Sequence, residues 1–83
     1  MKLEFSDSSF RQLSNLPKPV QKRIVKKLEF YLAQENPIAY ADKLTASEFG
    51  SFKFRIGDYR VLFDIHENTI FVLKVGHRKE IYR

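Results

Sequence analysis

The sequence predicts an α+β domain: an N-terminal strand and a helical hairpin packed on one face of a small, mostly antiparallel, curved β-sheet. Three observations predict it. An apolar stripe with a 3.6-residue period runs through Val20, Ile24, Leu28 and either Tyr31 or Leu32. The stretch SFKFRIGDYRVLF, residues 51–63, alternates apolar and charged side chains with a strand's period of two on either side of Gly57-Asp58. Hydrophobic residues make up 43% of 83 residues and include eight Phe and four Tyr, enough for one modest core, so residues 1–83 read as one domain.

Lys2 to Phe5 suits a short strand, after which Ser6 or Asp7 is a good helix N-cap and Phe10 and Leu13 share a face. Pro17 and Pro19 break the chain, and Pro19 fits the first helical position of the second helix, which is expected to end near Asn36-Pro37. From Ile38 to Phe49 the pattern reads as a short helical turn plus loop, anchored by Tyr40 and Leu44. Three strands follow, near Phe49 to Ile56, Tyr59 to Ile65 and Thr69 to Val75, with turns at Gly57-Asp58 and around His66-Glu67-Asn68. A two-residue loop with Gly first, as a type II′ turn prefers, pairs Ile56 with Tyr59, Phe54 with Val61, Phe52 with Phe63 and Arg55 with Arg60. The helices then cover Phe52, Phe54, Ile56, Val61, Phe63 and Ile65, leaving Lys53, Arg55 and Arg60 on the open face with Leu62 and Asp64. TIFVLKVG is apolar on both faces except at Lys74, and its pattern fixes no register.

Composition narrows the function classes. The absence of cysteine excludes disulfides and thiolate metal sites and suits a reducing compartment. The opening MKLEFSDSSF has no apolar signal-peptide core, and no segment approaches the roughly 18 apolar residues of a membrane span, so a cytoplasmic protein without a membrane partner is expected. His66 and His77 lack the carboxylate or cysteine neighbours of a zinc or magnesium site, and no metal or cofactor is expected. A net charge of +5 and a pI near 9.6 favour polyanions or acidic proteins; a merely solvated positive face is the plain alternative.

Two arginines facing each other across a hairpin are destabilising unless they serve something. The tail VGHRKEIYR can return along the sheet, bringing Arg78 and Tyr82 to Lys53, Arg55 and Arg60. Arginine forks grip phosphate oxygens and a tyrosine ring stacks an unpaired base, so this set suits RNA. The plain alternative is a surface ion network with Asp58, Asp64 or Glu80. His77 is either a second acid or base or a neutral structural histidine. Lys18, Lys22, Arg23, Lys26 and Lys27 on the second helix form either a solvated face or, with His77 and Lys79, a grip on ribosomal RNA. Tyr31, Tyr40 and Tyr59 read as packing residues.

GSFKFRIGDYRVLFDI, followed after a short gap by IFVLKVGHRKEIYR, resembles the C-terminal half of the RelE toxins of the RelE/ParE superfamily, and MKLEFSDSSFRQLSNLPKPVQKRIVKKLEF is similar to that family's first strand and helical hairpin. The resemblance implies the toxin of a type II toxin–antitoxin system, a ribosome-dependent endoribonuclease that cuts mRNA in the A site and is restrained by a cognate antitoxin. It carries the family's basic cluster onto Lys53, Arg55, Arg60, Arg78 and Tyr82. Cleavage without metal requires the ribose 2′-oxygen to lose a proton and attack phosphorus, leaving a 2′,3′-cyclic phosphate and a 5′-hydroxyl. Lys53 is the one of the four cations able to give up a proton, Arg55 and Arg60 would stabilise the phosphorane, Arg78 would assist the leaving oxygen and Tyr82 would orient a base. Lys53 and His77 both stand as candidates for the general base. A ParE-like inhibitor of DNA gyrase, which shares the fold without catalysis, and a degraded toxin that only binds are the alternatives.

Overall fold

A computed structural model describes residues 1–45 and 47–82. The chain forms β1 (Lys2–Phe5), α1 (Asp7–Ser14), α2 (Lys18–Leu32), a 3-10 turn (Pro37–Tyr40), β2 (Asp42–Lys43), β3 (Phe52–Ile56), β4 (Tyr59–His66) and β5 (Thr69–His77). The sheet order is β1-β5-β4-β3-β2, antiparallel throughout except where β1 lies parallel to β5. This is the expected α+β architecture.

Ser6 is the N-cap of α1, its hydroxyl accepting the Ser9 N–H at 3.1 Å. Ser9 is fully buried and its Oγ donates to the Val72 carbonyl at 2.8 Å, tying the helix to β5 without an unsatisfied polar group. Pro19 falls in the first turn of α2, where the missing N–H costs nothing. Ile24, Leu28 and Tyr31 point from α2 and Leu13 from α1 into a core made with Phe54, Ile56, Val61, Phe63, Ile70, Val72 and Val75. Tyr31, Phe54 and Phe63 stack in a column with ring centroids 4.5 Å apart at each step. Burial raises the Tyr31 phenol above its ordinary value, with a smaller push from Tyr40.

The β3–β4 register pairs Ile56 with Tyr59, Arg55 with Arg60, Phe54 with Val61 and Phe52 with Phe63, as expected. Gly57 has φ +60°, which a first residue of a type II′ turn requires. Several boundaries differ. The second helix ends at Leu32, short of Asn36-Pro37; β3 starts at Phe52 after a loop fixed by the Ser51 N–H on Asp64 Oδ1 at 2.8 Å. The loop after the 3-10 turn contains the unexpected two-residue strand β2. In β5, Leu62 pairs with Lys74 and Phe63 with Val72, so Leu73 is an extra residue. This bulge puts Val72 and Val75 both on the core side and explains why period-two reading failed there. Just past it, where β1 no longer flanks β5, Gln12 Oε1 accepts the Val75 N–H at 2.8 Å.

The face away from the helices is less open than its alternation implies. Leu62 and Ile81 are buried on it, at 0% and 1% exposure, because the tail folds back over the sheet. Ile81 Cδ1 lies only 3.3 Å from where a Cβ on Gly76 would stand, so glycine leaves the tail its seat.

Candidate RNA-facing site

Alternation along β3 and β4 sends Phe54, Ile56 and Val61 into the core, and so turns Lys53, Arg55 and Arg60 to the opposite face. The tail reaches the same face by two attachments. At one end, the Arg78 N–H donates to the Asp58 carbonyl at 2.7 Å and Arg78 Nε lies 3.4 Å from Asp58 Oδ1. At the other, Lys53 Nζ donates to the Tyr82 hydroxyl at 3.0 Å and stands 5.5 Å from the ring centroid. With Ile81 buried between them, these contacts bring Lys53, Arg55, Arg60, Arg78 and Tyr82 onto one face.

The two facing arginines are held apart. Arg55 Nε pairs with Asp42 Oδ2 at 2.8 Å, whereas Arg60 Nη1 curls over the turn to the Gly57 and Tyr59 carbonyls at 2.9 and 2.8 Å. The expected acidic partners are corrected accordingly: Asp58 serves Arg78, Asp64 accepts a backbone N–H, and Arg55 uses Asp42. Asp42 was missed because a two-residue strand has no period to read. Lys53, Arg55, Arg60 and Arg78 outnumber the carboxylates of Asp42, Asp58 and Asp64, so the face stays positive, and the side chains of Arg55 and Arg78 remain more than half exposed. Such a surface can clamp a phosphate from several directions while Tyr82, 59% exposed, offers a stacking plane.

His77 does not join this group. It is the register partner of Tyr59, on the helix side of the sheet, with the two rings edge to face at 5.3 Å. Its Nδ1 accepts the Lys79 N–H at 3.1 Å, which is the structural-histidine arrangement. Lys18, Lys22, Arg23, Lys26 and Lys27 lie on α2, hence on the layer behind the sheet. Lys27 Nζ sits 5.3 Å from the Phe30 centroid and 5.7 Å from that of Tyr31, and Arg23 Nη1 reaches the Gly57 turn. Among the described residues there is no group of three or more His, Cys, Asp or Glu side chains that could hold a metal ion, and no helix is long and apolar enough to cross a membrane.

The chain as a whole is similar to known proteins. A family model described as the ParE toxin of the type II toxin–antitoxin system parDE matches residues 3–82. The chain is 31% identical over 83 residues to Toxin RelG of Mycobacterium tuberculosis, covering 98% of this chain and 94% of that protein. Its backbone is similar to one in the RelBE2 toxin–antitoxin complex of the same organism, with TM-score 0.79, 29% identity and coverage of 93% and 96%. A RelB–RelE antitoxin–toxin complex from Methanococcus jannaschii gives TM-score 0.69, 25% identity and coverage of 94% and 93%.

Proposed function

The chain belongs to the RelE/ParE superfamily of type II toxin–antitoxin toxins, and from that premise we propose that it is a ribosome-dependent endoribonuclease that cuts mRNA in the A site. One observation carries the reading: the tail is pinned so that Arg78 and Tyr82 flank the Lys53, Arg55 and Arg60 surface.

In the proposed reaction the scissile phosphate sits against Arg55 and Arg60, whose guanidinium groups supply bidentate donors to its non-bridging oxygens. Lys53, as the free amine, takes the ribose 2′-proton; the 2′-oxygen bonds to phosphorus, the bond to the 5′-oxygen breaks, and that oxygen leaves taking a proton from water while Arg78 meets its developing negative charge. The products are a 2′,3′-cyclic phosphate and a 5′-hydroxyl. Lys53 is favoured over His77 as base because His77 faces the helices and its acceptor nitrogen is already engaged. The Tyr82 hydroxyl holds the Lys53 amino group in place, and its ring stacks the neighbouring base. Arg55 and Arg60 provide most of the barrier lowering, since they meet the charge that grows in the phosphorane.

A cognate antitoxin is the expected protein partner, in line with the complexes in which the similar folds were solved. An acidic or apolar segment laid over the basic face or the helices would restrain the toxin. The cytoplasm, where translating ribosomes are found, is the proposed compartment.

The test adds the purified protein to ribosomes stalled with a defined A-site codon and maps new mRNA 5′ ends. Cutting inside the A-site codon is expected, absent on free RNA and reduced at least about 100-fold in Arg60→Ala and Arg78→Ala, the scale for losing an oxyanion-stabilising donor. A 5′-phosphate product would overturn the 2′-attack. The match to the ParE family model favours one other reading, non-enzymatic inhibition of DNA gyrase, to which a folded protein that cuts nothing would move the assignment.

A further inference from the structure

At one edge of the sheet, β1 pairs with β5 on one side and meets no strand on the other among the described residues. Two hydrogen bonds fix which backbone groups that open side carries. The Lys2 N–H donates to the Asn68 carbonyl and the Ser6 N–H to the Val72 carbonyl, each at 2.9 Å, so Lys2, Glu4 and Ser6 turn their backbone groups toward β5. Alternation then turns the N–H and C=O of Leu3 and Phe5 outward, where they can template another strand. The side chains alternate as well: Leu3 and Phe5 pack against the core, whereas Lys2 and Glu4 are exposed on the opposite face. A groove of about 600 Å³ runs between this edge and α1. Phe10, 59% exposed, borders it with its ring edge to face with Phe5 at 6.3 Å. Charge along the edge is balanced, Lys2 and Arg11 against Glu4 and Asp7, on a chain whose net charge is +5. None of these four makes an ion pair among the described residues.

We propose that this edge is a docking surface for a second copy of the same chain, the two β1 strands pairing antiparallel about a two-fold axis at Leu3 and joining their sheets into one. Charge selects that register. With Leu3 opposite Leu3 of the second copy, the two leucines exchange both backbone hydrogen bonds, and Lys2 falls opposite Glu4 of the second copy, twice by symmetry. Lys2 and Glu4 then form the non-hydrogen-bonded kind of pair, in which side chains approach most closely. Sliding the strands by two residues sets Glu4 against Glu4 or Lys2 against Lys2, and a slip of one sets charged side chains against apolar ones. On the helix side, the Phe10 rings of both copies lie over the seam made by Leu3 and Phe5. Edge strands are commonly guarded by charge, but one lysine and one glutamate at this spacing are self-complementary and do not repel a copy. A basic chain repels itself over most of its surface, and this neutral edge is where that repulsion is least; the same neutrality gives RNA or an acidic segment no reason to prefer it. Because the axis is normal to the sheet, both basic faces stand on one side of the joined sheet, and β5 separates each from the seam. The pairing does not rest on the ribonuclease reading.

The test is sedimentation equilibrium of the untagged full chain from about 10 µM to about 1 mM, the range in which a small interface dissociates. The mass is expected to rise from 9.9 kDa toward twice that value, and the Leu3 and Phe5 amides to gain hydrogen-exchange protection with concentration. Lys2→Glu sets like charges opposite each other twice and should weaken association at least about ten-fold. Adding Glu4→Lys to it exchanges the two signs and should restore association to within about three-fold of wild type. Phe10→Ala should weaken it at least about three-fold through loss of the rings over the seam. All three side chains are exposed, so urea unfolding of the dilute variants should stay close to wild type, which separates lost association from lost folding. A monomer at every concentration would overturn the proposal and leave the edge to a strand of another protein. Association that withstands Lys2→Glu, or that the exchanged pair fails to restore, would overturn it by placing the contact elsewhere.

Discussion

Arg55 and Arg60 tolerate their cross-strand pairing because each guanidinium is drawn elsewhere, one to Asp42 and the other to turn carbonyls. Under the proposed function, Asp42 is then a counter-charge that lowers the pull of the face on phosphate. Asp42→Asn is expected to change unfolding free energy by less than about 1 kcal/mol, since both partners are exposed. It should steepen the salt dependence of single-stranded RNA binding by a slope of about 0.7, one additional phosphate contact, measured by anisotropy over a salt series. Gly50 shows the opposite sensitivity. Its φ of +107° belongs to glycine, and a Cβ there would overlap the Phe63 carbonyl, so Gly50→Ala should destabilise by about 1–3 kcal/mol or more in urea. Tyr31 sets an alkaline limit. Its raised folded-state value means the unfolded chain ionises first, so the neutral phenol's contribution is complete below pH 10 and is lost as pH climbs through the folded value. Tyr31→Phe should flatten that part of a stability–pH curve, and an unchanged slope would remove Tyr31 as its source. Among single residues, Lys53, Arg55 and Arg60 were legible because strand alternation sorts them, and Arg78 and Tyr82 because the tail resembles a family pattern. Asp42 carried no signal: its role depends on the register of a strand only two residues long.

Elements whose geometry is local were the readable ones. The β3–β4 hairpin follows from Gly57 and the alternation beside it, and α2 from its stripe. What escaped reading depends on distant chain. The bulge at Leu73 is compensated by Gln12 from α1, and the parallel partner of β1 is β5, at the other end of the sequence. The return of the tail along the sheet was read, but its seat was not: Ile81 stands among polar and charged neighbours with no period, yet it is what fixes the tail. Ile81→Ala is expected to cost about 2–4 kcal/mol, as for a buried large-to-small change. It should also release Tyr82 from Lys53, so cutting should fall further than Tyr82→Phe causes, because the phenylalanine keeps the stacking ring and loses only the hydrogen bond. Parallel urea and cleavage measurements on the two variants separate these effects.

The whole molecule has two positive sides with the core between them. One is the face built from Lys53, Arg55, Arg60 and Arg78; the other is the row on α2. Under the proposed function the first does chemistry and the second adds grip on ribosomal RNA. Reversing Lys22 and Lys26 to Glu should leave urea unfolding within about 1 kcal/mol of wild type, as exposed substitutions do, and weaken ribosome binding with a shallower salt dependence. Unchanged binding would mark α2 as a solvated face only.

Pairing of β1 with β5 has a consequence in time. Lys2 to Phe5 find their partners at Thr69 to Val72, so the first strand made must wait for the last. Ordering contacts so distant in sequence requires closing nearly the full length of the chain, which slows folding relative to domains built from local contacts. A growing chain can form the helical hairpin early, but it lacks the strand against which both β1 and α1 dock. The tail that completes the basic face is later still. Synthesis of this protein therefore leaves an interval in which much of it exists and its site is only partly assembled, and a partner acting at birth would meet an incomplete sheet rather than a finished surface.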